Sequence, residues 1–160
     1  MNKFYNLNMR KFKIILLSSV IIFMVGCGYT PLLNTQNINF YISEINYEGD
    51  RNVNNYIKNN LKKYSKFKEN SKRYDLNITS AYNKVVANKD ENGNPKNYNL
   101  KIKVDVIFNS LNDTSSKTFE KNISLGIQDK KVKEKELEKK YKRDLSESIS
   151  KDIVFYFMTN

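Results

Sequence analysis

A single cysteine stands in this chain, Cys27, at the end of the stretch Met24-Val25-Gly26-Cys27-Gly28. A thiol is the nucleophile needed to form a thioether, and the glycine before it leaves room for a peptidase at the Gly26–Cys27 bond. Upstream lie Lys3, Arg10, Lys11 and Lys13, with no acidic residue before the cysteine. An apolar run from Ile14 to Val25 follows, broken only by Ser18 and Ser19. A basic start, a short apolar run and small residues at its end make a bacterial secretory signal. The run is too short for a membrane-spanning helix, which needs about 20 apolar residues. The arrangement looks like a lipobox, with Met24 where leucine is usual. It implies that Cys27 takes a diacylglycerol group, that residues 1–26 are cut away, and that the new amino group is acylated. These lipids are covalent, and no separate cofactor is expected. Met9 offers an alternative start that gives a signal of more usual length.

Other chemistry is poorly served. Histidine is absent, and the lone cysteine is committed to lipid. The commonest metal ligands and the commonest general base are therefore missing. There is no glycine-rich phosphate loop and no nucleophile elbow. Asp90, Glu91 and Asp105 are the carboxylates to weigh as an acid–base pair. They fall in a turn and on the wet face of a strand, where solvated carboxylates are the rule. The sequence predicts no enzyme, no catalytic residue and no metal site. With one cysteine no intramolecular disulfide can form, even in an oxidising compartment.

The formal charge is +11, and it falls to +7 once the four basic residues before Cys27 are removed. Such a bias favours anionic partners. An exported, lipidated protein meets anionic lipid rather than nucleic acid. A lysine- and asparagine-rich composition from an AT-rich genome is the plainer source of the same charge.

The elements that would carry these groups follow from periodicity. Residues 27–37 read as a lipidated tether, of which Tyr29 to Asn37 could reach about 30 Å when extended. Residues 38–160 read as one domain with a modest core. Ile38, Phe40 and Ile42 alternate with polar residues, and Ile45 and Tyr47 follow, so a strand bulged at Ser43-Glu44 is predicted. Gly49 ends it and Asp50 caps a helix bearing Val53, Tyr56, Ile57, Leu61 and Tyr64, ending near Ser65. A strand over about 73–87 leads to a turn at Asp90 to Pro95. Tyr98, Leu100, Ile102, Val104, Val106 and Phe108 then alternate without a break, and should face the helices. After a turn at Asn112-Asp113, the residues Phe119, Ile123, Leu125 and Ile127 mark a fourth strand.

From Lys130 to Met158 the pattern is helical. Leu137, Tyr141, Leu145, Ile149, Ile153 and Phe157 form its apolar stripe, and the residues from Ile153 to Met158 are apolar all round. Lys133, Glu134, Lys135, Glu136, Glu138, Lys139 and Lys140 read as a solvated face. The order β-α-β-β-β-α predicts an α+β two-layer sandwich. Two helices cover one face of a mixed four-stranded sheet: the first two strands parallel, the rest an antiparallel meander.

The segment Gly26-Cys27-Gly28-Tyr29-Thr30-Pro31-Leu32-Leu33 resembles the start of mature lipopolysaccharide-assembly lipoproteins of the LptE family. The likeness extends to the strand after the tether, the following helix, the hairpin with Asn92-Gly93 and then Tyr98, and the long last helix. The resemblance implies a protein of the outer membrane, lipid-anchored and facing the periplasm. It would plug and help assemble the β-barrel that translocates lipopolysaccharide, and bind lipopolysaccharide itself. Relatives carry a basic residue near the Asn-Gly turn. Here Glu91 precedes Asn92 and Lys89 is the nearest base. Lys89, Lys96, Lys130 and Lys131 are the candidate contacts to lipopolysaccharide or the barrel, against the plainer reading as solvated loop lysines. Gly28 is compatible with outer-membrane sorting, where an aspartate would suggest retention in the inner membrane. The alternative is a periplasm-facing accessory lipoprotein of another transporter or secretion complex.

Overall fold

A computed structural model describes residues 38–66, 69, 71–111 and 113–159. The signal, the tether and the acceptor Cys27 lie outside the described residues. The element order is β1 (Phe40–Gly49), α1 (Arg51–Leu61), β2 (Lys72–Lys89), β3 (Pro95–Asn109), β4 (Thr114–Gly126) and α2 (Lys131–Thr159). The four strands form one sheet in the order β1-β2-β3-β4, with β1 parallel to β2 and the other pairs antiparallel. The α+β order read from the sequence is the observed one.

The predicted bulge in β1 is present, as a register shift between Ile42 and Glu44. One extra residue there keeps Phe40, Ile42, Ile45 and Tyr47 on a single face, where strict alternation would have turned the last two outward. Gly49 follows with φ +92°, and a Cβ there would lie 1.8 Å from the carbonyl oxygen of Ser80. Only glycine permits both the backbone angle and that approach. Asp50 then caps α1, its Oδ1 accepting from the N–H groups of Asn52 and Val53, both at 2.9 Å.

Val53, Ile57 and Leu61 of α1 are fully buried, one turn apart. Each such side chain contributes about 1.5–3 kcal/mol relative to exposure. A 3-10 turn (Lys62–Tyr64) carries the helix on to Tyr64, whose ring stacks on Phe40 at 5.7 Å. Asn54, a poor helix former by composition, is buried as well. Its amide donates to the Glu48 carbonyl (2.9 Å) and its Oδ1 accepts from the Ser80 hydroxyl (2.7 Å). It therefore ties the first turn of α1 to both parallel strands.

Leu100, Ile102, Val104, Val106 and Phe108 on β3 are buried as expected, while Tyr98 is only half-buried. Ile127 lies beyond the end of β4 and is exposed, although its N–H still reaches the Lys96 carbonyl. α2 is about 43 Å long, at 1.5 Å per residue. Its stripe buries Leu145, Ile149, Ile153 and Phe157, but Leu137 and Tyr141 are only partly covered. Sheet register explains the difference. β1 ends where Gly49 pairs with Ser80, whereas β2 continues nine residues further and there pairs with β3 alone. The N-terminal half of α2 therefore lies over a narrower platform than its C-terminal half.

Candidate interaction site

The β2–β3 turn is built by Asp90. Its Oδ1 accepts from the N–H groups of Asn92 (3.0 Å) and Asn94 (2.8 Å), and Gly93 turns the chain at φ +84°. Those N–H groups, that of Asn94 foremost, hold the carboxyl below the usual carboxylate range. Asp90 is thus a turn-former and not half of a catalytic pair. Asp105 lies on the outer sheet face, where the Thr118 hydroxyl and then Lys103 lower its pKa.

The topology gathers the four sequence-selected lysines at this end of the sheet. Lys89 closes β2 opposite Pro95, and Lys96 is the next residue on β3. The Ile127-to-Lys96 hydrogen bond brings the end of β4 alongside, and three residues later Lys130 and Lys131 open α2. All four are exposed, and none has an acidic partner among the described residues. Lys130, Lys131 and Lys133 sit where the helix dipole is already positive, which disfavours them. Helix stability does not account for that placement.

Beneath the lysines lies a set of charges, two of which, Glu134 and Glu138, the sequence pattern places on a solvated face. Glu134 and Glu138 turn inward. Both bind the Nζ of Lys84, at 2.8 and 2.9 Å. The Tyr82 hydroxyl donates to Glu138 at 2.7 Å. Lys142 lies 3.6 Å from the Tyr82 ring centroid and 3.3 Å from Asp50, and Lys84 lies 4.3 Å from that of Tyr98. Burial works against Lys84, but its two glutamate bonds outweigh it and raise the pKa. Burial likewise works against ionised Glu138, and Lys84 and Tyr82 overcome it, so its pKa falls. Burial, then Glu138, pushes Tyr82 well above the normal phenol range. The sequence held a clue: Tyr82 and Lys84 continue the core-facing parity of Leu76 and Ile78. A groove of about 360 Å3 between the helices borders the cluster, lined by Asn52, Tyr56, Lys135, Glu138, Lys139 and Lys142.

The opposite face of the sheet is covered by no helix or strand among the described residues. It is a polar lattice. Asn46 bonds Asn77 across β1 and β2 (3.1 Å), and Lys101 pairs with Glu120 (2.7 Å). Asn97 bonds Ser124 (3.2 Å). Ile107 and Val85 are isolated apolar residues on it. The described residues hold no group of three carboxylates, cysteines or histidines that could bind a metal, and no helix among them is long and apolar enough to cross a membrane.

No protein-family model matches the sequence, and no curated protein matches it. Solved structures do. Rare lipoprotein B from Shewanella oneidensis superposes with a TM-score of 0.53 at 11% identity, over 72% of this chain and 97% of that one. A lipoprotein from Caulobacter crescentus gives 0.51 at 13% identity, over 74% and 88%. Lipoprotein B from Nitrosomonas europaea gives 0.53 at 13%, over 73% and 81%. The chain has the fold of these lipoproteins. At this identity the likeness concerns the fold, and the lysines and the ion cluster stand on their own geometry.

Proposed function

We propose that this chain is an outer-membrane lipoprotein, anchored through Cys27, that plugs and helps assemble the β-barrel translocating lipopolysaccharide. The observation that carries the reading is the uncovered, hydrogen-bonded polar face of the sheet. A barrel lumen is lined by polar side chains, so its plug must be wet on the contact side and well packed behind it. A stable interface of this kind is large and mixed in polarity. The fold shared with lipoproteins, the lipobox-like segment and its resemblance to the LptE family support the same reading. The role is non-enzymatic. The lysine-bearing end, with Lys89, Lys96, Lys130 and Lys131, is its anion-facing part, where lipid phosphates meet ammonium groups as point charges.

Photo-crosslinkers replacing Lys89, Lys96 and Lys101 in membranes test the proposal. They should trap one large outer-membrane protein, while the buried positions Leu100 and Ile102 trap nothing. Depleting the chain should lower the assembled level of that barrel. Capture of inner-membrane transporter subunits instead would replace the plug with the accessory-lipoprotein reading. Binding of lipopolysaccharide should weaken with added salt.

A further inference from the structure

We infer that the end of the domain opposite the lysines docks on the phospholipid surface through Phe155, Met158 and Leu111. The inference rests on the acylation of Cys27. Three elements meet at that end. β1 starts there, with Phe40 paired to Lys72. α2 finishes there, Phe157 lying 4.7 Å from Phe40 and 5.1 Å from Phe108. The β3–β4 turn closes there, and a depression of about 760 Å3 is lined by Tyr74, Phe108, Leu111 and Tyr156 together with the charged Arg73 and Asp113.

The same end exposes apolar side chains that the core does not use. Leu111 is 87% exposed, Phe155 50% and Met158 40%. Lys151, Phe155 and Met158 fall at i, i+4 and i+7, one face of α2. Lys151 has no acidic partner among the described residues. Lys62 and Lys63 directly precede Tyr64, and the Lys63 ammonium lies 5.0 Å from the ring that stacks on Phe40. Lysines at the same end as protruding apolar side chains suit a membrane interface: the apolar groups enter the headgroup boundary while the ammonium groups stay with the phosphates.

Chain length selects lipid as the occupant. Ten residues separate Cys27 from Ile38, the first described residue, which is itself buried. Fully extended, they span about 35 Å, so an acylated Cys27 holds this end close to the bilayer. The lysine-bearing end is roughly 56 Å away along β2. The tether thus raises the effective concentration of membrane more at the apolar end than at the other.

The chain contains no tryptophan, so each one introduced reports alone. Full-length acylated protein carrying Phe155→Trp, Leu111→Trp or Val86→Trp is reconstituted into vesicles of phosphatidylethanolamine and phosphatidylglycerol with brominated acyl chains. Intact mass reads the acylation. Residues held ~5–10 Å below the headgroup boundary should lose about half their emission or more. We expect this for Phe155→Trp and Leu111→Trp, and no loss for Val86→Trp at the far end. Acylated protein whose Phe155→Trp emission matches that of Val86→Trp overturns the docking while leaving the anchor standing. An intact mass without acyl groups overturns both.

Discussion

The two ends of α2 lie over two kinds of interior. At its C-terminal end four strands and α1 close around Phe40, Phe108, Ile153 and Phe157, and the contacts are apolar and aromatic. At its N-terminal end β1 has already stopped, and the helix meets β2 through Lys84, Glu134, Glu138 and Tyr82. The first interior stabilises by removing area from water, which tolerates no charge. The second stabilises only while all its partners are present and correctly ionised, because a lone buried charge costs more than the pair gains. One helix is therefore held by two forces with different dependence on pH and salt.

Ile102→Asp attacks the apolar half. It buries an unpaired carboxylate at a site with no exposure, and should cost about 4 kcal/mol or more and abolish the thermal transition. Lys103→Asp, one residue away on the wet face, should leave the melting temperature within a few degrees. Equal melting of both variants and the parent would mean that β3 presents the other face.

Gly49→Ala strikes the seam between the halves. The added methyl meets the Ser80 carbonyl and the residue keeps an unfavourable φ, at a cost of about 1–3 kcal/mol in chemical denaturation. Wild-type stability in this variant would show that the β1–α1 junction can move away from β2.

Lys84→Met breaks the charged half by leaving Glu134 and Glu138 facing each other. The expected loss is about 2 kcal/mol at neutral pH. The same network fixes a pH window. Glu138 has a depressed pKa, so its contribution is present above the unfolded carboxylate value, about 4.3, and is lost as the pH falls through the folded one. Lys84 and Tyr82 have raised values. Their contributions are complete below about pH 10 and are lost as the pH rises through the folded values. Melting temperature against pH should show a plateau bounded on both sides, with shallower limbs in Lys84→Met. Unchanged limbs would assign the pH dependence to other groups.

The apolar half was legible in the sequence because period-2 and helical patterns report directly on burial. The order of elements, the bulge after Ile42 and the Asp50 cap were all readable, since each is a local matter. The charged half was not. Glu134 and Glu138 sit four apart on a lysine-rich helix, and an inward pair has the same spacing as a solvated one. Leu137 and Tyr141 belonged to the right stripe but met a narrower sheet, and strand register across the β1–β2 crossover is a long-range property. Asn54 is a poor helix former by type, and its supporting role is hidden in the sequence because its partners, Glu48 and Ser80, come from two different strands. The grouping of Lys89, Lys96, Lys130 and Lys131 at one end followed from the meander, but their lack of partners required coordinates.

The early stop of β1 has one more consequence. From Ala81 to Lys89, alternate main-chain groups of β2 point to a side that no described strand occupies. An open strand edge of that length can template pairing with another copy of itself, and natural sheets guard such edges with charge. Here the guards are few: Lys84 is already engaged by its glutamates, Val85 and Val86 are exposed, and Lys89 stands alone at the tip. Purified away from whatever shields that edge, the protein should self-associate as its concentration rises. A lysine in place of Val85 should raise the concentration at which it does so.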